Sequence, residues 1–272
     1  SGTGAFQIDT AGQILTLSGV IDGSGALTKT GPGTLTLSGA NTYTGITTIS
    51  AGILKAGSAT ALGTIAGKTV VSDGAALDLN GQTIANAEPL DINGTGVSSS
   101  GAVYNSSSTA ASVGAGAITL ITASTIKATS GAITLSGAIT NSTYLLTVDG
   151  TYNTTLSGII GSGTGGLTKN GTGTLTLSGA NTFTGQLTVT AGTLATATVN
   201  DSGVNGPLGN SALSVILGSN SNTGTLQYTG STAASTKKFT MAASGTGAFQ
   251  IDTAFQILTI SGIIDGSGAL TK

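Results

Sequence analysis

The chain repeats itself at two scales, and this self-similarity restricts its fold more than any single motif does. Residues 244–272, SGTGAFQIDTAFQILTISGIIDGSGALTK, reproduce residues 1–29 with differences only at Gly12/Phe255, Leu17/Ile260 and Val20/Ile263. The offset of 243 residues predicts one tandem unit over 1–243, with 244–272 opening the next. Inside that unit a looser repeat recurs 140 residues on: 27–54 read LTKTGPGTLTLSGANTYTGITTISAGIL, and 167–194 read LTKNGTGTLTLSGANTFTGQLTVTAGTL. A degenerate relative, SGAITLSGAI, occupies 130–139.

The repeated phrase has the period of a strand. In Thr34-Leu35-Thr36-Leu37 the leucines fall on one face and the hydroxyls on the other, as a half-buried strand requires. Gly39 ends it, and Ala40-Asn41-Thr42 opens a turn, for which Gly and Asn tolerate the needed conformations. A second alternating run follows Gly45. Its inner face is marked by Ile49/Val189 and Ala51/Ala191, its outer face by Ile46/Gln186, and the mixed pair Thr47/Leu187 reads as partly buried. Gly52/Gly192 marks a bend before Leu54/Leu194. Nowhere does a ten-residue segment carry a helical period with start and stop signals, so few or no helices are expected.

Strands alone could make a sandwich, but a sandwich needs different long-range pairings for each strand. Here one strand–turn–strand phrase recurs, as if each coil lay on a copy of itself. The expectation is an all-β chain, a single-stranded parallel β-helix in which equivalent residues form ladders. At roughly 20–25 residues per coil and about 4.8 Å per rung, one unit would hold about eleven coils and be roughly 50 Å long.

Composition removes most chemistry. Only 7% of the residues are charged, all eight basic residues are Lys, and His, Cys, Trp and Arg are absent. There can be no Cys/His zinc site, thiol nucleophile, imidazole base or disulfide framework. A net charge of −2 offers no footprint for nucleic acid. No apolar run approaches the roughly 18 residues of a membrane span, so the segment is not expected to insert in a bilayer. The 45 glycines lack a G-X-Y period, which excludes collagen. Positive mean hydropathy, +0.34, argues against a flexible linker.

The string Leu27-Thr28-Lys29-x-Gly31-x-Gly33-Thr34-Leu35-Thr36-Leu37-Ser38-Gly39-Ala40-Asn41-Thr42-Tyr43-Thr44-Gly45, followed by Ala51-Gly52, closely resembles the autotransporter-associated β-strand repeat of passenger regions in type V secreted bacterial proteins. Residues 167–194 resemble it equally, while 63–145 match it poorly. The resemblance implies a right-handed parallel β-helix on the outside of a Gram-negative cell, a stalk or adhesin segment. It implies neighbouring repeat units, and a host-cell, surface or matrix ligand, as partners. It carries no catalytic, cofactor-binding or metal-binding residue.

Carboxylates are the first candidates for chemistry, because other β-helices act on polysaccharides. Glycoside hydrolysis needs two acids about 5–10 Å apart, and the candidates are Asp73 with Asp78 and Glu88 with Asp91. Asp73-Gly74 reads as a turn, Asp78 as an outward strand residue and Glu88-Pro89 as a loop, all solvated. Asp22 and Asp265 recur in the long repeat, but the shorter repeat places Gly161 or Ser162 there. Asp22-Gly23-Ser24-Gly25 lacks the acids of a calcium loop. Lys29, Lys169 and Lys272 occupy matching places and read as solvated lysines guarding a strand edge, not as a ligand-binding row. Thr34/Thr36 and Thr174/Thr176 fit an ice-binding row locally without recurring in every coil, and Tyr43 and Phe183 read as corner packing. Triplets such as those at Asn93 and Asn153 would matter only in a eukaryotic secretory route. The stretches 94–116 and 198–210 are the places for protruding loops; the first reads as irregular coil, the second is open. The expected role is a non-enzymatic stalk, with a carbohydrate-active enzyme or an ice-binding face as alternatives.

Overall fold

The computed structural model describes residues 2–84, 86–161 and 163–272. Ser162, one of the two positions aligned with Asp22, lies outside them. The chain divides into two compact units, one reaching to Ala138 and the other spanning Ile139–Lys272.

In the first unit the ladders are parallel and fall into three columns. One column runs through Thr3–Gln7, Ala26–Thr30, Thr47–Ile49, Thr69–Val71, Leu90–Gly94 and the start of Ile118–Ala128. A second runs through Ile14–Leu17, Thr34–Leu37, Ile53–Ala56, Ala76–Asp78, Val103–Asn105 and the end of the same long strand. Thr83–Ile84, Ala111–Val113 and Ile133–Leu135 form the third. Parity decides what goes inside: Leu35, Leu54, Leu77, Val103 and Ile126 pair rung upon rung and are buried. Each such side chain taken from water contributes roughly 1.5–3 kcal/mol.

The second unit is built in the same way. Leu146–Gly150, Leu167–Lys169, Leu187–Val189, Val215–Leu217, Phe239–Met241 and Ile264–Gly266 make one parallel column. Thr154–Leu156, Thr174–Leu177, Gly192–Thr196, Thr223–Tyr228, Thr246–Ile251 and Ala269–Thr271 make another. Ile139–Thr140 pairs with Ile160–Gly161, and Ala233–Ser235 with Leu258–Ile260. Phe239 and Phe249 meet edge to face, centroids 5.0 Å apart.

The all-β, parallel solenoid expected from the repeats is what the chain forms. The one helix among the described residues is a 3-10 turn, Val97–Ser99. Coil lengths run beyond the expected range in two places. Leu27 pairs with Thr47 and Leu167 with Leu187, a step of 20 residues, but Leu90 pairs with Ile118 and Thr188 with Ile216, a step of 28. The extra residues lie in 94–116 and 198–210, and both stretches are ordered. Asn105 holds the first, accepting N–H bonds from Gly81 and Ser107 and donating to Thr109 and Ala132 carbonyls. Asn200 holds the second through Asp201, Val204 and Gly209 carbonyls and the Leu208 N–H. Asp201 and residues 203–205 then stand exposed on that anchored base, with Ser202 half-buried between them.

Candidate functional site

The signature residues turn inward. Leu27-Thr28-Lys29 alternates as a strand must, so Lys29 shares the core face with Leu27 and is 0% exposed. It sits in register between Phe6 and Ile49, and its Nζ donates to the carbonyls of Thr30, Gly31 and Ala51 at 2.9, 2.7 and 3.0 Å. Lys169 lies between Val148 and Val189 and repeats the arrangement with Asn170, Gly171 and Ala191 carbonyls. Burial lowers both pKa values, that of Lys169 to about 8 against the raising effect of Asp149. Lys29 and Lys169 are therefore not the solvated edge residues expected. The turn at Gly31 or Gly171 brings three carbonyls to one point, and an ammonium with three protons can donate to all of them; the Thr30 carbonyl accepts the Ile8 N–H as well. Lys272, at the matching place, is exposed.

The corner asparagine binds three coils together. Asn41 Oδ1 accepts the Ile21 N–H at 3.0 Å while Nδ2 donates to the Ala61 carbonyl at 2.9 Å. Asn181 does the same with Ile160 N–H and the Pro207 carbonyl, both at 2.8 Å. Tyr43 and Phe183 are buried corner residues, as expected. Tyr43 Oη shares a 2.7 Å hydrogen bond with Thr47, and burial raises its pKa to about 12. A glycine of the following coil, Gly63 or Gly209, packs directly on the ring with φ near +75°, where any Cβ would collide. Thr47 and Leu187, read as partly buried, are each 1% exposed because both lie in an inward ladder.

The candidate carboxylates do not form pairs. Glu88 is 1% exposed: it stands two residues before Leu90, in a corner position that is glycine at 25, 45, 67 and 116, and points into the core. The Thr69 hydroxyl donates to Oε1 at 2.8 Å, yet burial raises the pKa to about 7. Asp91 faces the other way, against Lys68. Asp73 is exposed at its turn, as expected. Asp78 has the outward parity expected, beside Lys55 and Tyr104, but is 1% exposed. The chain beyond Asn105 roofs it: Oδ1 accepts N–H bonds from Asn80 and Ser106, and Oδ2 accepts the Ser106 hydroxyl at 2.6 Å. The solvated reading of Glu88 and Asp78 is thus overturned, one by inward direction and one by cover.

One further feature was not anticipated. Lys237 is 0% exposed, donates to Gly209 and Ser211 carbonyls, and has a pKa lowered by burial to about 8. At that distance from the strand the column holds glycine at 165, 185 and 262 but Tyr144 and Leu213 elsewhere, so the sequence did not single Lys237 out. The threonine rows are short, as expected: Thr16 and Thr36 are followed by Lys55, and Thr155 and Thr176 by Ala195. Asp22 and Asp265 are exposed, and the Thr240 hydroxyl donates to Asp265.

A parallel β-solenoid whose signature lysine, asparagine and aromatic are all spent on joining coils is a structural repeat. Residues 27–56 and 167–195 match the family model of the passenger-associated-transport-repeat, so the chain carries two copies of that repeat. A stretch of 93 residues is 40% identical to the "Adhesin BmaC autotransporter" of Brucella suis biovar 1. That stretch is 33% of this chain and 3% of the relative's length. No solved structure matches the chain.

Proposed function

We propose that the chain is a segment of a long, repetitive passenger of the autotransporter type, displayed outside a Gram-negative cell as a structural and adhesive stalk. The observation that carries this is the fate of the signature: Lys29/Lys169, Asn41/Asn181 and Tyr43/Phe183 all hold coil to coil. The matched repeats and the relative named as an adhesin support it. In this reading the 243-residue repeat is the unit of a tandem array, successive coils extend the molecule by stacking, and the residues 201–205 and outward side chains meet host-cell, surface or matrix ligands. The role is non-enzymatic, in keeping with carboxylates directed to separate surroundings. No helix among the described residues is long and apolar enough to cross a membrane.

The test is made on cells that express the whole protein. Protease added to intact cells should remove this segment, and deleting it in frame should lower adherence without stopping export. Unchanged adherence would defeat the adhesive reading. Polysaccharide cleavage by the purified chain, lost on replacing Asp73 and Asp78 with Asn, would replace it with the enzymatic one.

A further inference from the structure

The second unit carries an open apolar groove whose lining recurs in the first unit, where the following coil lies against it and buries Ile8 and Lys29 while Leu15 stays 38% exposed. Phe249, Ile251, Leu258, Ile260, Ile264 and Lys272 line it, and it holds about 270 Å³. At the offset of 243 residues they correspond to Phe6, Ile8, Leu15, Leu17, Ile21 and Lys29, identical but for Leu17/Ile260. The backbone is in the same register in both places: Thr3, Gly4 and Ala5 pair with Ala26, Leu27 and Thr28, and Thr246, Gly247 and Ala248 with Ala269, Leu270 and Thr271.

What differs is the cover. In the first unit residues 30–56 lie over these side chains. Ile14–Leu17 pairs residue by residue with Thr34–Leu37, and Leu27, Thr28 and Lys29 with Thr47, Thr48 and Ile49. Gly33 lies so close to Ile8 that a Cβ there would come within 2.2 Å of Ile8 Cγ2. Leu27 is 3% exposed under this cover, whereas Leu270 is 54% exposed. Lys29 is buried on its three carbonyls, whereas Lys272 is exposed.

We propose that this groove is the receptor for a coil with the sequence of residues 30–56, and that one repeat unit continues into the next through it. Ile257–Ile260 would pair with the copy of Thr34–Leu37, and Lys272 would take the seat that Lys29 holds. The occupant is a segment of the chain's own repeat because three separate requirements coincide: strand register, leucine upon leucine, and a glycine where no side chain fits. The inference rests on the tandem-array reading above and specifies its junction.

The test uses the whole chain with residues 30–56 appended directly after Lys272. Lysines are acetylated with an amine-reactive ester and read by mass spectrometry. In the parent chain Lys272 should react readily and Lys29 slowly. In the extended chain Lys272 should slow by roughly ten-fold or more, toward the rate of Lys29, because its amine reacts only when the new coil opens. Gly33→Val in the appended copy should restore the parental rate, since that side chain would strike the isoleucine beneath. Equal labelling of Lys272 with and without the extension would overturn the proposal, as would full protection by the Gly33→Val copy. Protection in the parent chain that grows with concentration would also overturn it, by showing a second molecule as the occupant. Adherence of cells reports separately on the stalk reading, so the two can fail independently.

Discussion

Glu88→Gln should make the first unit more stable at pH 8 and nearly indifferent to pH between 5 and 8. The carboxyl lies in the core with one hydrogen bond from Thr69, and its pKa rises from 4.5 to about 7 by burial. Between those values the folded chain holds a proton that the unfolded chain has released. Stability is therefore full below about pH 4.5, falls as pH rises toward 7, and is level above it. A shift of that size corresponds at most to about 3 kcal/mol, and residual solvent screening reduces the expected loss to about 2 kcal/mol. Glutamine keeps an acceptor for Thr69 and cannot ionise. Urea unfolding at pH 5 and pH 8, with far-ultraviolet circular dichroism as readout, should show the parent losing about 2 kcal/mol and the variant losing little. Lys169 and Lys237 do not confuse this window. Their lowered pKa values, each about 8, place their own effect above it, where stability rises with pH as the unfolded chain keeps its protons longer. A parent as stable at pH 8 as at pH 5, or a variant with the parental slope, would refute the reasoning.

Lys169→Met keeps the bulk of the side chain but leaves the Asn170, Gly171 and Ala191 carbonyls without their donor; a loss of about 2–4 kcal/mol is expected in the same urea experiment. Asn181→Asp should be worse than Asn181→Ser, because a carboxylate cannot donate to Pro207 and would stand charged in the core. Amide hydrogen exchange at Ile160, whose N–H is bonded to Asn181, should quicken in both.

The architecture was legible because it depends on a property the sequence repeats. Thr34-Leu35-Thr36-Leu37 states its own inside and outside, and the recurrence of the phrase states what it stacks on. Parity also held the answer for Lys29 and Lys169, which share a face with Leu27 and Leu167; a preference for hydrating ammonium groups masked it. What overrides that preference is the supply of three carbonyls at one point, and this follows from turn geometry in two successive coils. Glu88 stood out as a break in a column of glycines, yet seeing the column requires the register, which shifts by eight residues in the long coils; Lys237 shares its column with Tyr144 and Leu213, so nothing there marked it. Asp78 was beyond reach for another reason. Its parity is outward, and only the path of residues 105–106, far along the chain, shuts water out.

Most of the polar contacts among the described residues run between backbone groups or join a side chain to a backbone carbonyl or amide, and ion pairs are represented there by Lys55–Asp78, with its carboxylate covered, and Lys68–Asp91. Added salt screens exposed charges, most strongly beyond a Debye length of about 8 Å at physiological strength, but reaches buried dipoles poorly. A fold joined in this second way keeps its cohesion in fresh water, brine or tissue fluid alike.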